Sequence, residues 1–244
     1  MVKVSAVSYT NSIPFVYGLR NSVIQNEIEL SLDIPSHCAE KLIHGYADIG
    51  LVPAAILPSL SEGQIISDFC IGAIGKVDTV MLYSQVPLEQ IKRIWLDFQS
   101  RTSVQLVKVL CREYWKIDPE FINAQPGYEQ LIHGKDAGVV IGDRCFDSLG
   151  RYKYAYDLSE NWFECTGLPF VFAVWHSNKP IPESFIQQFN QSLQFGLQSK
   201  EDALDKLLSP KLSRVVAHNY LYNRISYHLD DRKKMGLQLF LSKL

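Results

Sequence analysis

Val2-Lys3-Val4-Ser5-Ala6-Val7-Ser8-Tyr9-Thr10-Asn11-Ser12-Ile13-Pro14-Phe15 opens the chain and decides how the rest is read. An alternating apolar stretch, Lys3–Ser8, predicts a strand. It delivers a polar tip, Tyr9-Thr10-Asn11-Ser12, directly before a proline. An α/β protein presents ligand-binding side chains in this way, at the carboxyl end of its first strand. The same residues also fit a turn in which Asn and Ser bond their own backbone.

Working outward, strand-like and helix-like patterns alternate. Strands are expected at Glu27–Ile34, Ala47–Val52, Ile65–Gly75, Thr79–Tyr83, Arg93–Leu96, Ala137–Ile141 and Phe170–Trp175. Helices are expected from Pro35 to Leu42 with Ser36 as N-cap, from Ser103 to Trp115, and from Tyr128 to His133. Helical patterns then dominate, at Pro182–Gln198, Glu201–Leu208 and Asp230–Leu241. This order predicts an α/β fold of two lobes with mixed sheets and a helical C-terminal tail. Residues 1–88 and 176–244 would form lobe one and 89–175 lobe two. The crossings would lie at Val86–Lys92 and Gly167–Ser177, with a ligand cleft between the lobes.

Composition narrows the function classes. The chain has 244 residues, 24 basic and 26 acidic, for a net charge of −2. That balance gives no general attraction to nucleic acid or to acidic membranes, so an anion would have to be held locally. The apolar run Gly167–Trp175 is too short to span a bilayer. No basic, apolar and cleavage-site sequence precedes the first strand, so a cytoplasmic protein is expected. The five cysteines are scattered, with no metal-ligand spacing, and read as small buried hydrophobes. No phosphate loop, dinucleotide fingerprint, zinc-protease helix or nucleophile elbow is present, so neither cofactor nor metal is expected. The six histidines lie outside the polar tips; His133 and His176 read as surface or structural residues. Tyr152–Trp162 reads as packing, since no basic stripe accompanies its aromatics.

Three further tips join the first. Ser100-Arg101-Thr102-Ser103 precedes an amphipathic helix, whose free N–H groups and neighbouring hydroxyls can hold an anion. Simple capping needs one such residue and here there are three. Gly142-Asp143 ends a buried strand: the glycine permits close approach, and the carboxylate fits an N-cap before a ligand contact. Ser84 follows the strand Thr79–Tyr83, where its hydroxyl would face either the cleft or a solvated turn.

Together these residues resemble chorismate dehydratases of the futalosine route to menaquinone. The resemblance rests on Val7–Leu19, Asp33-Ile34-Pro35-Ser36, Asp48-Ile49-Gly50-Leu51-Val52-Pro53, Ser100–Ser103, Val140-Ile141-Gly142-Asp143 and Trp162–Trp175. Tyr220-Leu221, Ile225-Ser226-Tyr227 and Gly236-Leu237 extend it to the C-terminus, so it covers essentially the whole chain. Thr10 stands where the family usually has Leu, and Ser12-Ile13 where Thr-Lys or Thr-Arg is common. The resemblance implies a periplasmic-binding-protein-like (type II) fold closing on a small dianion, chorismate. Water would leave, as the C3 proton and C4 hydroxyl, to give 3-[(1-carboxyvinyl)oxy]benzoate. Asn11 and Ser84 are then the expected catalytic residues. Tyr9, Ser12, Ser100, Arg101, Thr102, Ser103, Gly142 and Asp143 are the expected substrate contacts.

An amide is no base near neutral pH, so Asn11 would orient a group, and the substrate's enolpyruvyl carboxylate would take the proton. The expected partner is the small molecule alone, without nucleic acid or membrane; the oligomeric state is left open. Rival readings are a non-catalytic solute-binding protein, a ligand-sensing regulatory domain and the sister dihydroxynaphthoate synthase. The first is opposed by the missing secretory signal, the second by the lack of a helix-turn-helix. The synthase typically opens with a Ser-Pro-Cys-Pro-Asn-Asp type motif where this chain has Ser8-Tyr9-Thr10-Asn11.

Overall fold

The computed structural model describes residues 1–60 and 63–244. Strand β1 (Val2–Val7) leads through a single 3-10 turn, Thr10–Ser12, into helix α1 (Ile13–Arg20). Pro14 sits in the first turn of α1, where its missing N–H costs nothing. Then come β2 (Ile28–Asp33), α2 (Pro35–Ile43), β3 (Ile49–Pro53) and β4 (Gln64–Ala73). β5 (Val80–Ser84) and β6 (Arg93–Leu96) precede α3 (Thr102–Leu110), which a π-helical turn extends to Trp115. β7 (Glu120–Asn123), β8 (Asp136–Ile141) and β9 (Tyr154–Asp157) lead to α4 (Leu158–Thr166). The chain ends with β10 (Phe170–Ser177), α5 (Glu183–Gln198), α6 (Lys200–Leu207), α7 (Arg214–Asn223), β11 (Ser226–His228) and α8 (Asp231–Leu241).

Two mixed sheets result. The first has the order β11-β4-β10-β3-β1-β2 and the second β7-β6-β8-β5-β9. β1 pairs in parallel with β2 and β3, while β10 runs antiparallel to β3 and β4. In the second sheet β6 is parallel to β7 and β8, and β5 is antiparallel to β8 and β9. The expected α/β class with mixed sheets is therefore observed.

The lobe boundaries move. β5 belongs to the second sheet and β10 to the first, so the first crossing falls near residues 74–79, before its expected position, and the second near 167–169, at the start of the expected segment. Periodicity identifies a strand but not its partner, and both strands are apolar enough for either core. The helical tail is also interrupted, because β11 joins the first sheet at its edge beside β4. Tyr152–Trp162 holds β9 and most of α4, and Trp162 is fully buried against Phe170 and Phe240, in line with a packing role.

Helix α1 is pinned against α5 through two glycines. A Cβ on Gly18 would lie 2.0 Å from the Ser192 carbonyl oxygen, and one on Gly196 would lie 1.9 Å from that of Pro14. α1 follows Asn11 directly, so this close crossing fixes where the first polar tip stands. Gly196→Ala is expected to cost about 1–3 kcal/mol through forced separation of the helices, read as a fall in Tm. An unchanged Tm would show that the crossing can widen freely.

Four cysteines are buried and Cys165 is exposed; all are free. Burial pushes the Cys38 thiol up to about 12, which keeps it unreactive. His176 is buried on β10, and its Nδ1 lacks a hydrogen-bond partner among the described residues. Burial depresses its pKa, so the unfolded chain binds the proton more tightly. This neutral imidazole therefore costs stability as pH falls below its ordinary value of 6.5, at a limiting slope of ~1.4 kcal/mol per pH unit. Denaturant titrations between neutral and acid pH are expected to show wild type losing stability relative to His176→Gln; parallel curves would exclude this.

Candidate functional site

A cavity lies where the ends of β1, β3, β8 and β10 meet the start of α3. Its interior volume is about 60 Å³, and about 520 Å³ counted with the open solvent at its mouth. Tyr9, Asn11, Thr79, Ser100, Thr102, Ser103 and Gly142 give it polar or backbone surface; Val7, Pro35, Pro53, Ile71, Val77, Val80, Ile141, Phe172 and Ala173 make the rest apolar. Six expected site residues therefore meet here: Tyr9, Asn11, Ser100, Thr102, Ser103 and Gly142. Among the described residues Tyr9 is the one titratable side chain on this wall, and burial raises its pKa, so it stays a neutral phenol.

Asn11 is held from three directions. Its Nδ2 donates to the Tyr220 hydroxyl (3.3 Å), its Oδ1 accepts from the Ser12 hydroxyl (3.1 Å), and its carbonyl accepts from the Tyr227 hydroxyl (2.9 Å). Ser12 is fully buried and serves Asn11, not the cavity. Tyr220 in turn shares a 2.6 Å hydrogen bond with Thr79 Oγ1. The sequence reading missed this tyrosine–threonine pair; its available signal was a hydroxyl at the amino end of a strand and the tyrosines of the C-terminal motif.

At the start of α3 the hydroxyls divide their work. Ser100 Oγ accepts from the Ser103 N–H at 3.0 Å, so Ser100 caps the first turn in place of Thr102 or Ser103. Thr102 Oγ1 accepts from the Ala55 N–H (3.2 Å) and donates to the Phe172 carbonyl (3.0 Å). It is spent on tying α3 to the first lobe. The Ser103 hydroxyl and the proton of Ser100 remain for a ligand, beside the free N–H groups of a helix N-terminus. Ser36 is not the cap of α2; Ile34 is, and the Ser36 N–H donates to the Gln99 carbonyl at 3.1 Å.

Besides Ser12, three expected site residues lie elsewhere. Arg101 points away and pairs with Glu40 at 3.3 Å, both exposed. Asp143 does not line the cavity. Its carboxylate accepts from the Thr10 N–H (3.2 Å to each oxygen) and the Thr10 hydroxyl (3.1 Å), which latches the second lobe to the first. Burial raises the Asp143 pKa, partly offset by those donors. Ser84 is fully buried at the far end of β5, accepting from the Val86 N–H at 3.1 Å. β5 runs antiparallel to β8, with Val80 opposite Ile141, so its amino end faces the cavity. Ser84 is four residues beyond Val80, about 13 Å at 3.3 Å per residue.

Behind the second lobe's tips sits Asp97, missed by the sequence reading and fully enclosed. It accepts from the Gln99 N–H (2.8 Å), the Ile141 N–H (3.1 Å), the Tyr128 hydroxyl (3.0 Å) and Arg144. Arg144 also pairs with Glu129 at 2.7 Å. Gln99 accepts from the Tyr9 hydroxyl, and the Tyr9 ring crosses Gly142 so closely that a Cβ there would lie 2.7 Å from it. Gly142 has φ +66°, which favours glycine as well.

A two-lobed α/β chain with a cavity between mixed sheets has the architecture of periplasmic binding proteins. The aliphatic sulphonate binding protein of Escherichia coli superimposes with a TM-score of 0.59 at 14% identity, covering 99% of this chain and 91% of that one. A protein of Archaeoglobus fulgidus superimposes with a TM-score of 0.77 at 15% identity, covering 99% and 96%. A sequence model described as menaquinone biosynthesis matches residues 2–244, and the chain belongs to that family. A relative from Thermus thermophilus, named chorismate dehydratase, is 28% identical over 233 residues, covering 86% of this chain and 84% of its own. Among the described residues no cluster of ligands for a metal occurs, and no helix is long and apolar enough to cross a membrane.

Gly142→Ala is expected to push Tyr9 aside and part the lobes, since it adds both a clash and left-handed strain of about 1 kcal/mol. Small-angle scattering should show a larger radius of gyration, and ligand affinity should fall about tenfold, equal to ~1.4 kcal/mol. Unchanged scattering and affinity would show that Tyr9 yields without cost.

Proposed function

We propose that this protein is a cytoplasmic chorismate dehydratase, a carbon–oxygen lyase that removes water from chorismate to give 3-[(1-carboxyvinyl)oxy]benzoate. Membership of the menaquinone biosynthesis family and the name of the Thermus relative support this reading. The observation that carries the chemistry is the cavity wall: donors of hydrogen bonds around an apolar floor, with no carboxylate, imidazole or amine among its described residues. One substrate carboxylate would take the N-terminus of α3, with Ser100 and Ser103 donating. Asn11 and Thr79 would face the C4 hydroxyl, Thr79 taking the place first given to Ser84.

Loss of the C3 proton needs a base. The substrate's own enolpyruvyl carboxylate supplies one that the wall lacks, and the proton it takes passes to the departing C4 hydroxide, which leaves as water. Aromatisation of the ring provides the driving force. The protein contributes orientation, exclusion of water and donors aimed at the oxygen on which charge develops. A non-catalytic binder of small anions would use the same donors, so turnover separates the two readings.

Purified protein with chorismate, and without metal or nucleotide, is expected to yield a product one water lighter by mass spectrometry. Asn11→Ala should lower turnover about 100-fold, the usual loss for one such donor. Binding without product would favour the solute-binding reading, and neither binding nor product would overturn the assignment.

A further inference from the structure

The hydroxyls around Asn11 form a directional series. Ser12 Oγ donates to Asn11 Oδ1, and Asn11 Nδ2 donates to the Tyr220 oxygen. A phenol has one proton, and with its oxygen already accepting from Asn11 that proton goes to the nearest acceptor, Thr79 Oγ1 at 2.6 Å. Thr79 then has its own proton left over, with no other protein partner among the described residues, and it lines the cavity. The second Nδ2 proton of Asn11 is likewise unclaimed. We infer that Tyr220 is a positioning residue that sets the polarity of the site, turning Thr79 into a donor toward the ligand beside the Asn11 amide, whose Nδ2 donates in any case. This inference deepens the dehydratase reading and rests on it for the identity of the ligand.

Three features make the arrangement one-way. Tyr220 is only 2% exposed, so water does not supply a competing partner. Burial pushes its pKa up, so the phenol keeps its proton throughout the working pH range. Its ring is wedged edge-on against Phe146 of the second lobe, with centroids 5.4 Å apart, which fixes the direction of the hydroxyl. Donors on both Asn11 and Thr79 select an oxygen that accepts: a hydroxyl leaving as hydroxide, or a carboxylate. They disfavour a ligand that offers only N–H or O–H donors.

A double-mutant cycle with Tyr220→Phe and Thr79→Val tests this, each change removing one oxygen and keeping the bulk. In the wild-type background Tyr220→Phe is expected to lower kcat for chorismate at least tenfold while KM moves less than threefold. In the Thr79→Val background the same change should cost less than threefold, because its target is gone. Equal costs in both backgrounds, or a loss confined to KM or tracking a fall in Tm, would overturn the inference. Wild-type protein that leaves chorismate unchanged would remove the functional reading alone. The same cycle is then read in Tm: non-additive losses support the Tyr220–Thr79 bond, and additive losses overturn it.

Discussion

A buried carboxylate organises the half of the cavity that the second lobe provides. Asp97 is taken wholly out of water and meets donors from its own loop, from β8, from Tyr128 and from Arg144. Desolvation still dominates its pKa, which is raised despite the adjacent guanidinium. An enclosed charge of this kind tolerates little movement of its partners, since removing one leaves a charge uncompensated, at a cost of about 3–5 kcal/mol. The tips that carry Gly142 and the Gln99–Ser103 segment are therefore fixed relative to each other before any ligand arrives.

The first lobe reaches the same rigidity with neutral groups. Asn11 is surrounded by the hydroxyls of Ser12, Tyr220 and Tyr227, two of which come from the far end of the chain. The close glycine crossing of α1 and α5 sets the height of the tip. Closure then needs few contacts: Thr10 on Asp143, Tyr9 across Gly142 to Gln99, and Ala55 on Thr102. Charge sits behind the wall and at its latch, and the wall itself is neutral. In a low-dielectric cavity, neutral donors held in place stabilise developing negative charge without neutralising a substrate carboxylate that must act as a base.

The sequence alone determined eight of the eleven described strands, β1–β6, β8 and β10, the helices α2, α3, α5, α6 and α8, and the presence of polar tips, because hydrophobic periodicity and turn residues report local conformation. Tyr9, Asn11, Ser100, Thr102, Ser103 and Gly142 were legible for that reason, each standing where a strand or helix terminates. Tertiary structure decided which tips face one another. The antiparallel placement of β5 exchanged Ser84 for Thr79, and no local signal encodes a strand's direction relative to its neighbour. It also decided the partners of Arg101, Asp143, Asp97 and Tyr220, which lie 61, 133, 44 and 209 residues from Glu40, Thr10, Ile141 and Asn11. Pairings across such separations arise only once the chain has folded, because no local pattern encodes a partner so far along it.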